Sequence, residues 1–359
     1  MGGMEIDMKQ TLPRLWGNDA LRARFGNDIL ARRLSHAYIL EGKYGLGKHT
    51  LALQLAAAQS CLAKDDEHAP LPCGTCKNCK KILEGKSPDV TIIGREKGKV
   101  QITVDAVRHL RTDVLTAPND LDTKVYIIED AHAMNQQAQN ALLLTLEEPP
   151  AYVLFLLLCE DASNLLETIR SRAPIYRLQS LPLDTVRQYV TQHTPPGITL
   201  PPEDKLEQLL MAADGSIGKA LDLLSPKQSA PILEARQAAM ELLDAAPDKG
   251  ERVIRALLPY GIRKEDGRTE LRRDEVAYKL ETLLRALRDL IAVHRCDPAT
   301  VPLCFFTDRD TAIDYSLRFG MQDLLRLLDA VDAALESISQ RNANLRIAIC
   351  EMAVCAGIL

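Results

Sequence analysis

At positions 42–50 the chain carries the stretch Gly42-Lys43-Tyr44-Gly45-Leu46-Gly47-Lys48-His49-Thr50. The apolar run Ala37–Leu40 precedes it, and the alanine- and leucine-rich run Leu51–Leu62 follows it. A buried strand, a glycine-rich turn and the start of a helix form the context of a P-loop. In such a loop the glycines let backbone N–H groups close around phosphates, and the helix N-terminus adds partial positive charge. The stretch therefore predicts a P-loop fold.

The predicted P-loop departs from an ATPase at the residue after its lysine. Lys48 is in place to reach the outer phosphates, but His49 stands where Ser or Thr would bind Mg²⁺. Thr50 is one residue late, which turns a helical side chain by about 100°. A neutral imidazole is a poor ligand for Mg²⁺. The pattern argues against hydrolysis and leaves nucleotide binding open. The alternative is a tight turn retained from an ATPase ancestor.

A second apolar run, Val125–Ile128, ends in Glu129 and Asp130. In a P-loop enzyme the first acid supports Mg²⁺ and the second activates the attacking water. The usual order is Asp then Glu, so each carboxylate is displaced here by about 1.5 Å. A misplacement near 1 Å can cost about a hundredfold in rate. The pair is either part of a degenerate nucleotide site or two solvated acids at a strand end.

Apolar runs alternate with helical patterns along the first half of the chain, which predicts an α/β domain with a parallel sheet. Four runs are typical of strands buried on both faces, namely Ala37–Leu40, Val90–Ile93, Val125–Ile128 and Tyr152–Leu158. We expect this domain at 1–178, a helical segment broken by prolines at 179–226, and a helical bundle at 227–359. Ser225–Pro231 has the composition of a linker.

Two sets of apolar residues at helical spacing predict packed faces in the third part. They are Leu280, Leu283, Leu284, Leu287, Leu290 and Ile291, and Leu324, Leu325, Leu328, Val331 and Leu335.

Four of the nine cysteines, Cys61, Cys73, Cys76 and Cys79, lie close together in the sequence. Four thiolates at this spacing favour a tetrahedral structural zinc site in a module at 61–79. Iron–sulfur ligation is the competing interpretation, and free thiols are the third. The remaining cysteines are scattered and are interpreted as small core residues: Cys159, Cys296, Cys304, Cys350 and Cys355.

Composition limits the classes of protein that fit. The net charge is −5, with 44 Lys and Arg against 49 Asp and Glu, so a free-standing DNA-binding domain is disfavoured. The polar segment Met1–Gln10 has no apolar core and is not a secretory signal. No run of about 20 apolar residues is present, so no membrane span is expected. We expect a cytoplasmic protein whose cysteines are thiols or metal ligands.

At this point the sequence resembles the clamp-loader branch of the AAA+ ATPases. The resemblance rests on the cysteine cluster and on three further stretches: Leu34–Tyr38, Asn140–Pro150 and Ile169–Arg172. The second of these resembles the motif NALLKTLEEPP, with Leu144 in place of lysine, and the third resembles the SRC motif, with Ala173 in place of cysteine. Weaker similarity continues through Gly215–Leu221 and Asn342–Arg346.

The resemblance implies a RecA-like AAA+ domain, a small helical lid and a helical collar that assembles a pentamer. It implies gamma/tau-type and delta-type subunits of DNA polymerase III as partners, and the sliding clamp and primer-template DNA as targets of the complex. Arg172 resembles the family's arginine finger, which reaches the γ-phosphate of ATP on a neighbouring subunit. Guanidinium suits this role because it is always charged and donates a planar fork.

Three departures favour the delta-prime type, which has no ATPase cycle of its own: His49, the order Glu129-Asp130, and Gly218 where ATPase members place the sensor-2 arginine. Lys219 is adjacent to Gly218. The intact Lys48 supports the first alternative, an active gamma/tau-type ATPase. The second alternative is an independent zinc-dependent DNA-binding regulator, which the acidic net charge opposes.

Overall fold

A computed structural model of the chain describes residues 10–95, 99, 101–244, 262–263, 269–270, 273–339 and 343–356. The chain divides into two compact units. The first comprises residues 1–189 and 215–219, and the second comprises residues 190–214 and 220–359. Asn342, part of the weaker C-terminal similarity, lies outside the described residues. The predicted three-domain division remains a prediction.

The first unit is built on a parallel sheet of five strands in the order β2-β3-β4-β1-β5. The strands are β1 (Ala37–Glu41), β2 (Val90–Ile93), β3 (Lys124–Ile128), β4 (Val153–Cys159) and β5 (Ile175–Arg177). The four predicted strands are confirmed, but β2 lies at the edge of the sheet and none of its residues is buried, so its predicted burial on both faces is wrong. The short β5 was not predicted. Its burial pattern is exposed, buried, exposed, so it lacks the apolar run that marks the others.

Helices cover both faces of the sheet, which explains why the central strands are apolar throughout. In the first unit they are α1 (Asp19–Leu30), α2 (Lys48–Gln59), α3 (Lys77–Leu83), α4 (Val104–Val114), α5 (Gln136–Glu147) and α6 (Glu167–Arg170). Leu51 and Leu55 of α2 pack in one core together with α1. Val107 of α4 and Leu142 of α5 pack in the other core. The predicted α/β domain with a parallel sheet is confirmed.

Helix α7 (Leu183–Gln192) and helix α9 (Ile217–Leu223) each begin in the first unit and end in the second. The second unit further contains α8 (Glu203–Ala213), α10 (Pro226–Asp244), α11 (Arg273–Arg295), α12 (Arg309–Arg318), α13 (Met321–Ser339) and α14 (Leu345–Cys355). A short antiparallel pair, β6 (Ile262–Arg263) with β7 (Thr269–Glu270), lies between α10 and α11 in the sequence.

Both predicted apolar faces of the helical region pack into one core. Leu280, Leu283, Leu287 and Leu290 are fully buried in α11, with Leu284 and Ile291 packed against them. On α13, Leu324 and Val331 are fully buried, whereas Leu325 is 36% exposed. The helical character predicted for this part of the chain is therefore confirmed.

The structure corrects two predictions from composition. Residues 226–231 are not a linker, because Pro226 begins α10 and Pro231 lies within it. A proline at the first helical position has no N–H that needs a partner, so the helix can start there. Of the scattered cysteines only Cys159 is a buried core residue, and Cys296, Cys350 and Cys355 are exposed. Within the described ranges, no helix is both long and apolar enough to cross a membrane.

Candidate functional site

The P-loop connects β1 to α2, as predicted. Gly45 and Gly47 have φ values of 74° and 94°, which residues with a side chain rarely adopt. The Lys48 ammonium donates to the carbonyl oxygens of Gly42 and Lys43, the latter at 2.9 Å. Burial lowers the pKa of Lys48 from its ordinary value. The lysine thus lies over its own loop, and the binding of phosphates by Gly42, Gly45, Gly47 and Lys48 remains a prediction.

His49 contacts Glu129, the first acid after β3. Its Nδ1 donates to Oε1 of Glu129 at 2.6 Å, and both side chains are partly exposed. This contact brings together the two residues whose departure from the ATPase pattern was predicted to disturb Mg²⁺ binding. Thr50 lies one residue further along α2. The position after the P-loop lysine is therefore occupied by a nitrogen donor bound to a carboxylate, and not by a hydroxyl available to a cation.

The second acid has a partner as well. Nε of Arg95 donates to Oδ2 of Asp130 at 3.0 Å, and Nη2 of Arg95 donates to the same oxygen. Asp130 has a φ of 48° and precedes a 3₁₀ turn at Ala131–Ala133. Arg95 was not predicted, because it lies 35 residues from Asp130 in the sequence. Each of the two acids of this site thus has a side-chain partner, and Lys48 binds the backbone of its own loop.

Residues 215–219 pack directly against the P-loop. The Gly218 N–H donates to the Gly45 carbonyl at 2.9 Å, and the Ser216 hydroxyl donates to the Tyr44 carbonyl at 2.9 Å. A Cβ added at Gly218 would lie 2.7 Å from the Cα of Gly45. The missing side chain of Gly218 therefore allows two backbones to touch.

The four clustered cysteines come together at the end of α2 and the start of α3. Their sulfur atoms all lie within 4.8 Å of one another, and those of Cys73 and Cys79 are 3.9 Å apart. Tetrahedral zinc with Zn–S bonds of about 2.3 Å requires sulfurs about 3.8 Å apart. The thiols of Cys61, Cys73, Cys76 and Cys79 thus fit the geometry of zinc and could bind it.

Backbone N–H groups point at the sulfurs of this cluster, as they do at metal-bound thiolates. The Cys76 N–H donates to Cys73 Sγ at 3.4 Å, and the Cys79 N–H donates to Cys76 Sγ at 3.4 Å. Burial by itself would raise the pKa of the Cys73 thiol, but the N–H groups of Cys76 and Thr75 outweigh it and lower that pKa to about 6. Burial raises the pKa of Cys61 and Cys79.

Arg172 lies just after α6, away from the P-loop in sequence and in its contacts. Its Nη2 donates to Oε1 of Glu147 at 2.8 Å, and its Nη1 donates to the Thr168 carbonyl at 3.0 Å. The side chain of Arg172 is 35% exposed. Glu147 was not predicted as a functional residue, although it belongs to the stretch Asn140–Pro150 that carried the family resemblance.

Residues 17–182 match the protein family described as "DNA polymerase III, delta subunit". The tau subunit of DNA polymerase III from Salmonella typhimurium is 35% identical over 216 residues, which cover 60% of this chain and 32% of that protein. The delta-prime subunit from Pseudomonas aeruginosa is 36% identical over 185 residues, which cover 51% of this chain and 53% of that protein. This chain thus spans about a third to a half of the length of these relatives.

Among solved structures, a gamma-subunit-related protein from Thermotoga maritima is similar over 93% of this chain and 98% of its own, at 18% identity and a TM-score of 0.41. The sequence matches cover the P-loop, the acids, the cysteine cluster and Arg172. This region of the chain is therefore similar in sequence to DNA polymerase III subunits of the tau, gamma and delta-prime types.

Proposed function

We propose that this chain, whose N-terminal region is related to the clamp-loader subunits of DNA polymerase III, is a delta-prime-type subunit. In this role it would assemble with gamma/tau-type and delta-type subunits and help load the sliding clamp onto primed DNA. It would turn over no ATP itself and would supply Arg172 to the ATP site of a neighbouring subunit. A zinc ion on the four clustered cysteines would hold the module at 61–79 together.

One observation carries the proposal. Beside the chain's own P-loop, His49 already binds Glu129 and Arg95 already binds Asp130, whereas Arg172 is at the surface. Glu129 and Asp130 must exchange these partners before they can serve Mg²⁺ or a water molecule, and their order is also reversed. An arginine on the surface can still serve a site on another protein. A subunit that assists a neighbouring ATPase without hydrolysing ATP itself requires this combination.

The substitution Arg172→Ala tests the proposal in a complex reconstituted with gamma/tau-type and delta-type subunits. Arginine fingers supplied in trans are worth roughly 10³–10⁵ in rate in other phosphate-transfer systems. We expect a smaller, partial loss of DNA- and clamp-stimulated ATP turnover and of clamp loading, because the other ATP sites carry their own arginines. Arg172→Lys should rescue poorly, since lysine keeps the charge and loses the fork.

Assembly, folding and zinc content of the Arg172→Ala complex should match the wild type, because a partly exposed ion pair contributes little to stability. Wild-type ATP turnover and clamp loading in a correctly assembled Arg172→Ala complex would contradict the finger role.

The second candidate function is an active gamma/tau-type ATPase, which the intact Lys48 and the tau and gamma relatives favour. ATP turnover by the isolated chain that Lys48→Ala abolishes would select this candidate.

A further inference from the structure

Arg172 is held by three contacts that fix the plane of its guanidinium group. Besides Glu147 and the Thr168 carbonyl, Nη1 approaches the Ser171 hydroxyl at 3.4 Å. A guanidinium group has five N–H donors, so these contacts within the described residues leave about two of them for a further acceptor. The arginine is thus anchored on one side and still able to bind a second anion.

Glu147 is itself firmly placed. It is the last residue of α5, and the sequence Pro149-Pro150 follows after one intervening residue, Glu148, so the helix cannot continue. Its side chain is 44% exposed and therefore lies at the surface beside that of Arg172. The helix end thus presents a carboxylate at a defined position next to the arginine.

Gln139 ties the same helix to the segment that leads to Arg172. This buried side chain donates from Nε2 to the Met134 carbonyl at 3.0 Å and to the Asn164 carbonyl at 3.4 Å. Its Oε1 accepts from the Leu166 N–H at 2.8 Å, one residue before α6 begins. These hydrogen bonds link α5, which carries Glu147, to the 164–166 segment, which leads to Arg172. The positions of the two residues are therefore fixed relative to each other.

The ion pair is a poor candidate for a stabilising device. Both side chains are more than a third exposed, and pairs of this kind contribute little to the free energy of unfolding. A free arginine side chain, by contrast, carries about 2 kcal/mol of rotamer entropy. A partner that restricts its rotamers in advance reduces the entropy lost when the arginine binds a phosphate group.

We infer that Glu147 is a positioning residue for Arg172, and that it orients the guanidinium group for the nucleotide of a neighbouring subunit. The inference rests on the arginine-finger role proposed above. Glu147 acts through the arginine and does not touch the nucleotide. Its carboxylate holds one edge of the guanidinium group, so that the remaining donors face the phosphate when the subunits meet.

The test uses the reconstituted complex with four versions of this chain: Glu147→Ala, Glu147→Gln, Arg172→Ala and the double variant. Glu147→Ala should lower the kcat of the partner ATPase about three- to tenfold with little change in KM for ATP, because the loss concerns orientation in the transition state. Glu147→Gln keeps an oxygen acceptor for Nη2 and should retain at least about half of the wild-type rate. The matched control is Glu148→Ala, at the adjacent exposed carboxylate, which should leave the rate unchanged.

The double variant separates positioning from a general structural effect. If Glu147 acts through Arg172, Glu147→Ala should cause no further loss in an Arg172→Ala background. An equal loss in both backgrounds overturns the inference, and so does a rise in turnover with Glu147→Ala, which would mean that the carboxylate restrains the arginine. Wild-type turnover for Glu147→Ala beside an impaired Arg172→Ala overturns the positioning role alone. Wild-type turnover for Arg172→Ala overturns the finger role itself.

Discussion

His49, the residue after the P-loop lysine, binds the carboxylate of Glu129. In an ATPase the residue after the P-loop lysine offers a hydroxyl to Mg²⁺, and the first acid after a second strand supports the same ion. Here the two positions bind each other at 2.6 Å. A magnesium ion would have to break this contact and would gain only one suitable oxygen ligand from the pair.

We expect that a hydroxyl at position 49 is not sufficient for ATP hydrolysis. The substitution His49→Ser leaves the reversed order of Glu129 and Asp130, the Arg95 contact and Gly218 in place. ATP hydrolysis by the isolated wild-type chain, by His49→Ser and by Lys48→Ala should therefore be indistinguishable. Turnover in either of the first two that is lost with Lys48→Ala would show that the P-loop site is competent after all.

Asp89 is a buried carboxylate with a structural role at the start of β2. It is fully buried and accepts from the backbone N–H groups of Asn119, Asp120 and Leu121 at 2.6, 2.7 and 2.9 Å. Burial alone would raise the pKa of Asp89, but these donors outweigh it, and the net pKa lies below the ordinary value. The folded protein thus favours the charged form.

The substitution Asp89→Asn should lower the free energy of unfolding by about 2–3 kcal/mol at neutral pH, because a charged acceptor of several N–H groups is lost. The pKa of Asp89 is lower in the folded protein, so the carboxylate stabilises fully above its unfolded pKa of about 3.9. That contribution declines as the pH falls through the lower folded pKa, and the difference from the variant should shrink there.

Urea unfolding at several pH values measures the effect of Asp89→Asn. The single tryptophan, Trp16, lies in the same unit as Asp89 and reports its unfolding by fluorescence. Asp122→Asn, an exposed neighbour of the same charge, is the matched control. An equal and pH-independent change in both variants would rule out the proposed role of the carboxylate.

At the scale of elements, the segment from Cys61 to Cys79 has little helical content until α3 begins, and its sulfurs converge on one point. We expect one zinc ion per chain, bound to these cysteines. Cys76→Ser should reduce the zinc content after dialysis against a chelator from about one per chain to near zero, because metal binding and local folding are coupled. The segment should then become sensitive to proteases while the sheet survives.

Metal analysis and limited proteolysis of the full chain check this expectation. Cys296→Ser, an exposed cysteine outside the cluster, provides the matched control and should keep its zinc. Iron in place of zinc, or no metal in the wild-type protein, would refute the assignment.

At the scale of the whole molecule, the sequence predicts what depends on local pattern. Buried parallel strands carry runs of apolar residues, so β1, β3 and β4 stand out, and the P-loop is marked by its glycines. The strand β5 does not stand out, because two of its three residues are exposed. The prolines at residues 226–231 led to the prediction of a linker. Proline is also common at the first position of a helix, and α10 begins at Pro226.

The parts of the candidate site that could not be predicted are contacts between distant residues. Arg95 meets Asp130 across 35 residues, and Glu147 meets Arg172 across 25. Charged residues are common at protein surfaces, and nothing in their spacing along the chain distinguishes these pairs from solvated side chains. The cysteines are the exception, since the chemistry of four thiols limits what a close group of them can be.

The contact between Gly45 and Gly218 also has a consequence for how such a protein can evolve. A mutation to arginine at position 218 would place its Cβ 2.7 Å from the Cα of Gly45, before any benefit from the guanidinium group could appear. Residues 215–219 and the P-loop would have to separate first, so this substitution alone would destabilise their contact. In evolutionary terms, a larger residue at position 218 becomes accessible only after a compensating mutation that moves the two backbones apart.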